Sequence, residues 1–242
     1  QSGRTLNLSG GAAQFAGTTL TGGTWIARAG ATLAVAGAPN VTVNQGNVLL
    51  EGAGSTIAWI NKLADNQGAF TIRNGRNFTT AGALASTGTL DVGRGCTLTV
   101  SGSLSLTSPS TTRVEIVGPS PTLTAWSHMA CTGTAALDGT LQVCFSQAAT
   151  YQDGDRWHFL HAAGGRSGQF AAIQFLDVPP GLVPAVEYAD DGVDVVLQTG
   201  AAPTSFAEWL AEQPFVNPGD EAPDADPDAD SLVNLMEYAL DR

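Results

Sequence analysis

Charged residues are scarce in this chain of 242 residues, and basic ones are the scarcest. Charged side chains make up 13% of the sequence, against roughly 25% in ordinary soluble domains. Lysine and arginine together number 10, with Lys62 as the one lysine, against 22 acids and a formal net charge of −12. A protein that binds nucleic acid needs a basic surface to neutralise phosphates. The composition therefore argues against a nucleic-acid partner.

The sequence also lacks a long apolar run. No stretch approaches the roughly 20 residues of a membrane-spanning helix, and no signal peptide is present. The chain starts with Gln1 rather than Met, so we expect a processed mature end and no membrane span.

Groups for catalysis are few. A hydrolase or lyase acting on polysaccharide would need clustered acids, or a metal beside a base, on one face. There is no Gly-x-Ser-x-Gly elbow and no phosphate-binding loop that runs into a helix. Arg73 and Arg76 near Asp65 could bind an acidic sugar, although such a trio is more often a solvated turn. We therefore expect no enzymatic activity. The four acids of residues 1–120 are spread widely: Glu51, Asp65, Asp91 and Glu115.

The cysteines and a pair of histidines each allow two interpretations. Three cysteines allow at most one intrachain disulfide; Cys131 and Cys144 are the better pair, and each could equally be a small buried filler. His158 and His161 flank Phe159-Leu160, which places them on opposite faces of a strand. With Asp153 and Asp155 they hint at a metal, but a structural strand is the favoured interpretation.

The 29 glycines and the abundant small and β-branched residues are typical of short strands and tight turns. Up to about Val117, alternating apolar and small polar residues recur between single or paired glycines, and no helical stripe precedes residue 204. Imperfect repeats of this kind predict a parallel β-helix, or β-solenoid, over residues 1–129. A β-sandwich is the alternative, but the turn signals of the repeats are single Gly or Gly-Gly corners rather than the Asn-Gly and Asp-Gly pairs of tight hairpins. Examples of the strands are 5–10, 22–28, 31–37, 55–60, 88–93 and 97–106.

Asparagines cluster in the middle of this region, where buried amides can stack in ladders between coils. That structural role is favoured over ligand binding. Trp25 and Trp59 are expected to fill the interior or a subunit contact rather than to stack on sugars. The clustered asparagines are Asn40, Asn44, Asn47, Asn61, Asn66, Asn74 and Asn77.

Residues 130–198 depart from the repeat pattern of the preceding region and form the predicted terminal coils and cap. A Gly139-Thr-Leu strand, a Gly154-Asp-Arg-Trp strand, a Ser167-Gly-Gln-Phe turn and a final Asp191-Gly-Val strand follow in order. This order resembles the end of the β-helix in autotransporter-like secreted repeat proteins of bacteria. The resemblance implies a C-terminal cap, in which aromatic side chains cover the open sheet edge. These aromatics are Trp157, Phe159, Phe170, Phe175 and Tyr188.

The segment 199–204 is a predicted linker, and 205–242 a helix–calcium loop–helix tail. Ser205-Phe-Ala-Glu208 is a capping box that opens a helix. From Asp226, oxygen-bearing residues then occupy places one, three, five, nine and twelve, with a backbone carbonyl at seven, as in a calcium loop. Ser231 stands where glycine is usual, which should weaken the site without abolishing it. A solvated acidic linker is the plain alternative. The predicted calcium ligands are Asp226, Asp228, Asp230, Leu232, Asn234 and Glu237.

Charge distribution supports cation binding by this tail, since residues 201–242 hold 10 acids and one base, whereas residues 1–200 hold 12 acids and 9 bases. The tail resembles the C-terminal calcium modules of secreted proteins from Verrucomicrobia- and Planctomycetes-type bacteria, and is similar to half a dockerin repeat. These resemblances imply an extracellular or cell-surface location.

We therefore expect a secreted structural protein: a self-assembling fibre subunit or a surface adhesin. Strand-like sequence starts by Thr5, so we expect an open solenoid edge that invites head-to-tail stacking into a homo-polymer. A carbohydrate- or partner-binding module with a dockerin-like adaptor tail is the alternative, with a cell-surface or polysaccharide ligand. A polysaccharide-degrading enzyme is the least favoured.

Overall fold

The computed structural model describes residues 4–118, 126–200, 219–227 and 232–240, together with Phe206 and Leu210. The chain divides into two compact units, Gln1–Gln198 and Thr199–Arg242. With 48% of residues in strands and 5% in helices, it belongs to the all-β class, as the alternating sequence predicts.

The first unit contains three large sheets and one strand pair. Sheet I has seven strands: β4 (Thr24–Arg28), β7 (Asn47–Glu51), β9 (Ala69–Arg73), β12 (Thr89–Val92), β15 (Thr111–Ile116), β18 (Thr140–Phe145) and β21 (Ala172–Leu176). Sheet II has eight: β2 (Phe15–Ala16), β3 (Thr19–Leu20), β6 (Val43–Asn44), β8 (Asp65–Asn66), β11 (Leu84–Ser86), β14 (Leu104–Leu106), β17 (Ala135–Leu137) and β20 (Arg166–Gly168). Sheet III has six: β10 (Phe78–Thr79), β13 (Thr97–Val100), β16 (His128–Cys131), β19 (Arg156–Ala162), β22 (Leu182–Ala189) and β23 (Gly192–Thr199). The separate pair is β1 (Thr5–Leu8) with β5 (Thr32–Val35), and a 3₁₀-helix spans Ala58–Ile60.

Strand order and direction follow one rule through most of the unit. From β8 to β22 the chain visits sheets II, I and III in rotation. Every pairing in sheet I is parallel. From β8 to β21 each strand therefore pairs with the strand of its own sheet that lies one rotation away. The offset lengthens from 20 residues, Ala69 to Thr89, to 32 residues, Thr140 to Ala172.

Period-two alternation places one set of side chains from each strand in a shared core. In sheet I, residues in register form two inward columns of mainly apolar side chains that are at most 2% exposed over the central strands. Buried apolar area of this kind is the main source of stability. One column contains Val48, Phe70, Leu90, Thr112 and Leu141, and the other Leu50, Ile72, Val92, Val114 and Val143.

Buried amides form the predicted ladder at sheet II. Asn44 Nδ2 donates to Asn66 Oδ1 at 2.8 Å, and Asn66 Nδ2 donates to Ser86 Oγ at 3.1 Å. The same nitrogen of Asn66 also donates to the carbonyl of Thr89 at 2.9 Å. Asn44, Asn66 and Ser86 are fully buried, so these bonds satisfy polar groups that water cannot reach.

Aromatic side chains fill the core at both ends of the unit. Trp25 and Trp59 are buried and pack edge to face at 5.4 Å, with Phe15 against both, as expected for interior rather than sugar-stacking residues. Towards the other end, Trp157 and Phe159 are fully buried. Phe170 is also buried, and Phe175 and Tyr188 are partly buried.

Antiparallel strands interrupt the parallel order at two places. β2 pairs antiparallel with β3 at the start of sheet II. β23 pairs antiparallel with β19, and β22 lies beyond it at the edge of sheet III.

The second unit contains one helix in its described part, α1 (Asn234–Leu240). The first predicted helix lies largely outside the described residues. Phe206 from that segment packs its ring on Tyr238 of α1, with centroids 5.7 Å apart. Among the helices that are described, none is long and apolar enough to cross a membrane.

Candidate calcium site and neighbouring polar clusters

The described part of the acidic tail folds around the side chain of Asn234. This residue opens α1 and is fully buried. Its Nδ2 donates to the carbonyls of Asp220 at 2.6 Å and Ala222 at 2.8 Å, and its backbone N–H donates to Ala225 at 2.9 Å. The amide nitrogen thus holds the preceding turn against the start of the helix.

The side-chain oxygen of Asn234 takes no part in these hydrogen bonds. Asn234 Oδ1 is buried and has no hydrogen-bond partner within the described residues. A buried acceptor without a partner is costly and indicates a missing water or ion. An amide oxygen is a ligand that calcium takes readily, so Asn234 fits the ninth place of the predicted loop.

The other predicted ligands are placed in part. Asp226 is exposed, and Leu232 and Glu237 are half-buried. Asp228, Asp230 and the atypical Ser231 lie outside the described residues. In the described residues no three His, Cys, Asp or Glu side chains lie close enough to hold a metal ion.

The prediction that His158 and His161 lie on opposite faces is wrong. A β-bulge between His158 and Leu160 in the pairing of β19 with β23 buries both Phe159 and Leu160. The two imidazoles therefore share one face, with ring centroids 5.8 Å apart. Each ring has a carboxylate beside it: Asp194 Oδ1 lies 2.8 Å from Nδ1 of His158, and Asp191 Oδ2 lies 3.7 Å from Nδ1 of His161.

A third imidazole, which the sequence did not point to, joins this pair. His128 opens β16, the strand next to β19. Burial, and next the neighbouring His158 and His161, lower the pKa of His128. Because His128 lies some 30 residues earlier in the chain, only the pairing of β16 with β19 reveals the cluster.

All three cysteines are free and buried, so the possible Cys131–Cys144 disulfide is not formed. Cys131 ends β16 in sheet III, whereas Cys144 lies in β18 of sheet I. Burial raises the pKa of all three thiols, which suits their use as small core residues.

A cleft of about 380 Å³ follows the carboxyl ends of the strands of sheet I. Glu51, the last residue of β7, lies at one end, and Asp177, just after β21, lies at the other. Arg73 ends β9, and Glu115 lies near the end of β15. This lining comes from six adjacent strands, and no sequence motif joins its residues.

Three arginines line the cleft, and only one has a carboxylate partner. Arg73 donates to Asp91 Oδ2 at 2.6 Å. Arg94 and Arg113 form no ion pair with any described carboxylate, although the backbone N–H of Arg94 donates to Glu115 Oε2 at 3.0 Å. Arg113 lies against the thiol of Cys144.

No protein-family model matches the chain, and no curated protein matches it significantly. Strand pairing and local geometry are therefore the basis on which a function can be proposed.

Proposed function

We propose that this chain is a secreted, non-enzymatic structural protein whose subunits stack head to tail into an extracellular fibre, with calcium stabilising the C-terminal tail. In this proposal sheets I, II and III are the three faces of a β-solenoid. The rotation of the chain through the sheets and the inward columns of apolar residues support that interpretation.

The proposal rests on the unpaired edges of the two outermost strands of sheet I. Among the described residues, β4 and β21 each have a neighbouring strand on one side only. An unpaired edge presents backbone N–H and C=O groups to any further strand. Both ends of the longest all-parallel sheet are therefore templates for pairing.

Side-chain exposure at β21 supports pairing with another strand. Ile173 occupies the inward column of Leu141, yet it is 38% exposed whereas Leu141 is fully buried. At the opposite end of sheet I, Trp25 starts the same column and Ile26 is 41% exposed. The core column thus ends at β21 without a covering residue.

A second copy of the chain fits this edge. All strands of sheet I run in one direction, so β21 of one copy placed beside β4 of the next continues the sheet in the same sense. The exposed side of Ile173 then lies at the end of the core column that Trp25 starts in the next copy, and the column continues across the junction. A contact between different surfaces, repeated by translation, produces filaments rather than closed rings.

Calcium enters the proposal through the tail. Asn234 Oδ1 is buried and has no hydrogen-bond partner among the described residues, which supports a ligand role for this residue. Asp226 and Glu237 would add carboxylate oxygens, and the carbonyl of Leu232 a backbone ligand. Bound calcium would neutralise the acidic loop and let the apolar side chains on either side of it pack.

The second candidate is a surface adhesin or carbohydrate-binding module with a dockerin-like adaptor tail. The arginine-lined cleft favours this candidate, because it offers guanidinium groups that the protein itself leaves without carboxylates. Calcium-dependent capture of a different protein by the tail would support the adaptor and argue against the fibre.

Electron microscopy and sedimentation of the whole chain test assembly. Filaments are expected with calcium, and shorter particles after chelation. Ile173→Asp should prevent assembly because it places a charge in the proposed junction. Val183→Asp is the matched control, since Val183 is 53% exposed on β22 of sheet III.

Two outcomes would contradict the fibre. One is a wild-type protein that stays monodisperse at high concentration with calcium. The other is an Ile173→Asp variant that assembles as well as the Val183→Asp control.

A further inference from the structure

The cleft along sheet I is elongated in the direction of strand stacking. Its lining residues follow β7, β9, β12, β15, β18 and β21, which are successive neighbours. Five intervals of about 4.8 Å give a path of about 24 Å. A path of that length suits an extended polymer better than a small molecule.

The acids at the two ends of this cleft, Glu51 and Asp177, differ in their surroundings. Glu51 forms an ion pair with Arg28 and accepts a hydrogen bond from Asn74 Nδ2 at 2.9 Å. Asp177 is exposed and has a positive φ of 56°, a conformation that asparagine and aspartate tolerate. Carboxylate and amide oxygens at such places accept hydrogen bonds from hydroxyl groups.

The middle of the path holds three guanidinium groups beside two carboxylates, those of Asp91 and Glu115. Arg73 forms an ion pair with Asp91, which is 8% exposed, whereas Arg113, in register with Asp91 on the neighbouring strand, forms no ion pair with any described carboxylate. Within the described part of the chain, Nε of both arginines and Oδ1 of Asp91 are buried without hydrogen-bond partners. Arg94 adds a third guanidinium with no carboxylate partner.

Among the described residues Arg94 and Arg113 line the cleft without a carboxylate partner, so their guanidinium groups are available to an anion that enters it. Guanidinium groups bind planar anions, and carboxylates above all, through paired hydrogen bonds. We propose that this cleft binds an extended anionic polysaccharide, whose acidic groups contact Arg94 and Arg113 and whose hydroxyl groups contact the acids at the two ends. The proposal does not rest on fibre assembly, because every lining residue comes from one chain.

Titration of the whole chain with three polymers at low salt tests the site. The polymers are polygalacturonate, which carries carboxylates, dextran sulfate, which carries sulfates, and neutral dextran. Tighter binding of either anionic polymer than of dextran is expected, and the tighter of the two identifies the anionic group. The affinity should fall as salt rises, because the contacts are between charges.

Substitutions place the binding in the cleft. Arg94→Gln should weaken binding about tenfold, the usual effect of losing a charge-assisted hydrogen bond, and Arg113→Gln should act in the same direction. Arg94 is exposed and its backbone bond to Glu115 remains, so Arg94→Gln is expected to fold normally. Arg4→Gln removes an equal charge from an exposed residue outside the cleft and should leave the affinity unchanged.

Three results would overturn the proposal: no binding of either anionic polymer, equal binding of neutral dextran, or equal losses for Arg94→Gln and Arg4→Gln. The Ile173→Asp variant keeps the cleft and should bind polymer as the wild type does. Loss of assembly and loss of binding can therefore be told apart.

Discussion

Single glycines decide how closely successive strands approach at the corner before sheet I. Gly46, Gly68 and Gly88 directly precede β7, β9 and β12 or lie at their start. A Cβ on Gly68 would lie 2.1 Å from the carbonyl oxygen of Gly46, and one on Gly88 would lie 2.0 Å from that of Gly68. The added Cβ would clash with backbone atoms, which cannot move away as the end of a flexible side chain can.

Gly88→Ala should therefore destabilise the first unit by about 1–3 kcal/mol, the range for overpacking a tight site. Denaturant unfolding followed by circular dichroism measures the loss. Gly82→Ala is the matched control, because a Cβ on Gly82 meets nothing within 4 Å. Equal stability of the two variants would mean that this corner is not tightly packed in solution.

The sequence predicts that asparagines form a buried ladder, but it does not tell which asparagines belong to it. Asn44 and Asn66 stack because they are 22 residues apart, which is one rotation of the chain at that place. Asn74, from the same cluster, instead has a positive φ of 56° and donates to Glu51. Composition indicates buried amides, but the register decides which of them meet.

At the scale of elements, β19 departs most from its sequence pattern. Regular alternation puts residues three apart on opposite faces, and one bulged residue reverses that relation. The bulge is not encoded by a turn residue: it arises where the antiparallel β23 pairs with a strand whose other neighbour, β16, is parallel. Pattern analysis of β19 alone therefore could not find the three-histidine cluster.

This cluster makes stability depend on pH. Folding lowers the pKa of His128, so between the folded and unfolded pKa values the unfolded chain binds more protons. The contribution of neutral His128 is fully present above about pH 6.5, the ordinary histidine value, and declines as the pH falls below it.

His128→Gln should reduce this dependence. The free energy of unfolding, measured at about pH 7.5 and about pH 5.5, should fall less in the variant than in the wild type. His161→Gln serves as a comparison, because it removes an imidazole of the same cluster whose side chain is 45% exposed. An identical decline in wild type and His128→Gln would contradict the expected role of burial at this site.

At the scale of the whole molecule, alternation and glycine spacing were enough to predict the all-β class. They could not give the neighbours of each strand, because pairing joins residues 20 to 32 positions apart. The arginine cleft depends on that pairing from end to end, since it joins residues between Glu51 and Asp177. The predicted calcium loop is the opposite case, because its proposed ligands lie within twelve consecutive residues and their spacing can be read directly.

Calcium should stabilise the second unit and bind through the frame that starts at Asp226. Isothermal titration should detect one site, and saturation at 100 times Kd adds about 2.7 kcal/mol to stability. Glu237→Gln should lower the calcium affinity at least about tenfold, because it removes the bidentate carboxylate. Asp224→Asn removes an equal charge outside this frame and should change little; the reverse ranking would move the loop to another register.

The rotation of strands through sheets I, II and III also restricts how genetic change can alter this protein. Loss of residues 69–88 would join Gly68 to Thr89, a residue that already pairs with Ala69, and would leave the order of sheets intact. Loss of ten residues would shift every later column away from its partners. Duplication or deletion of whole rotations is thus the tolerated way to lengthen or shorten the unit, so that its size changes through copy number while each strand keeps its register with its neighbours.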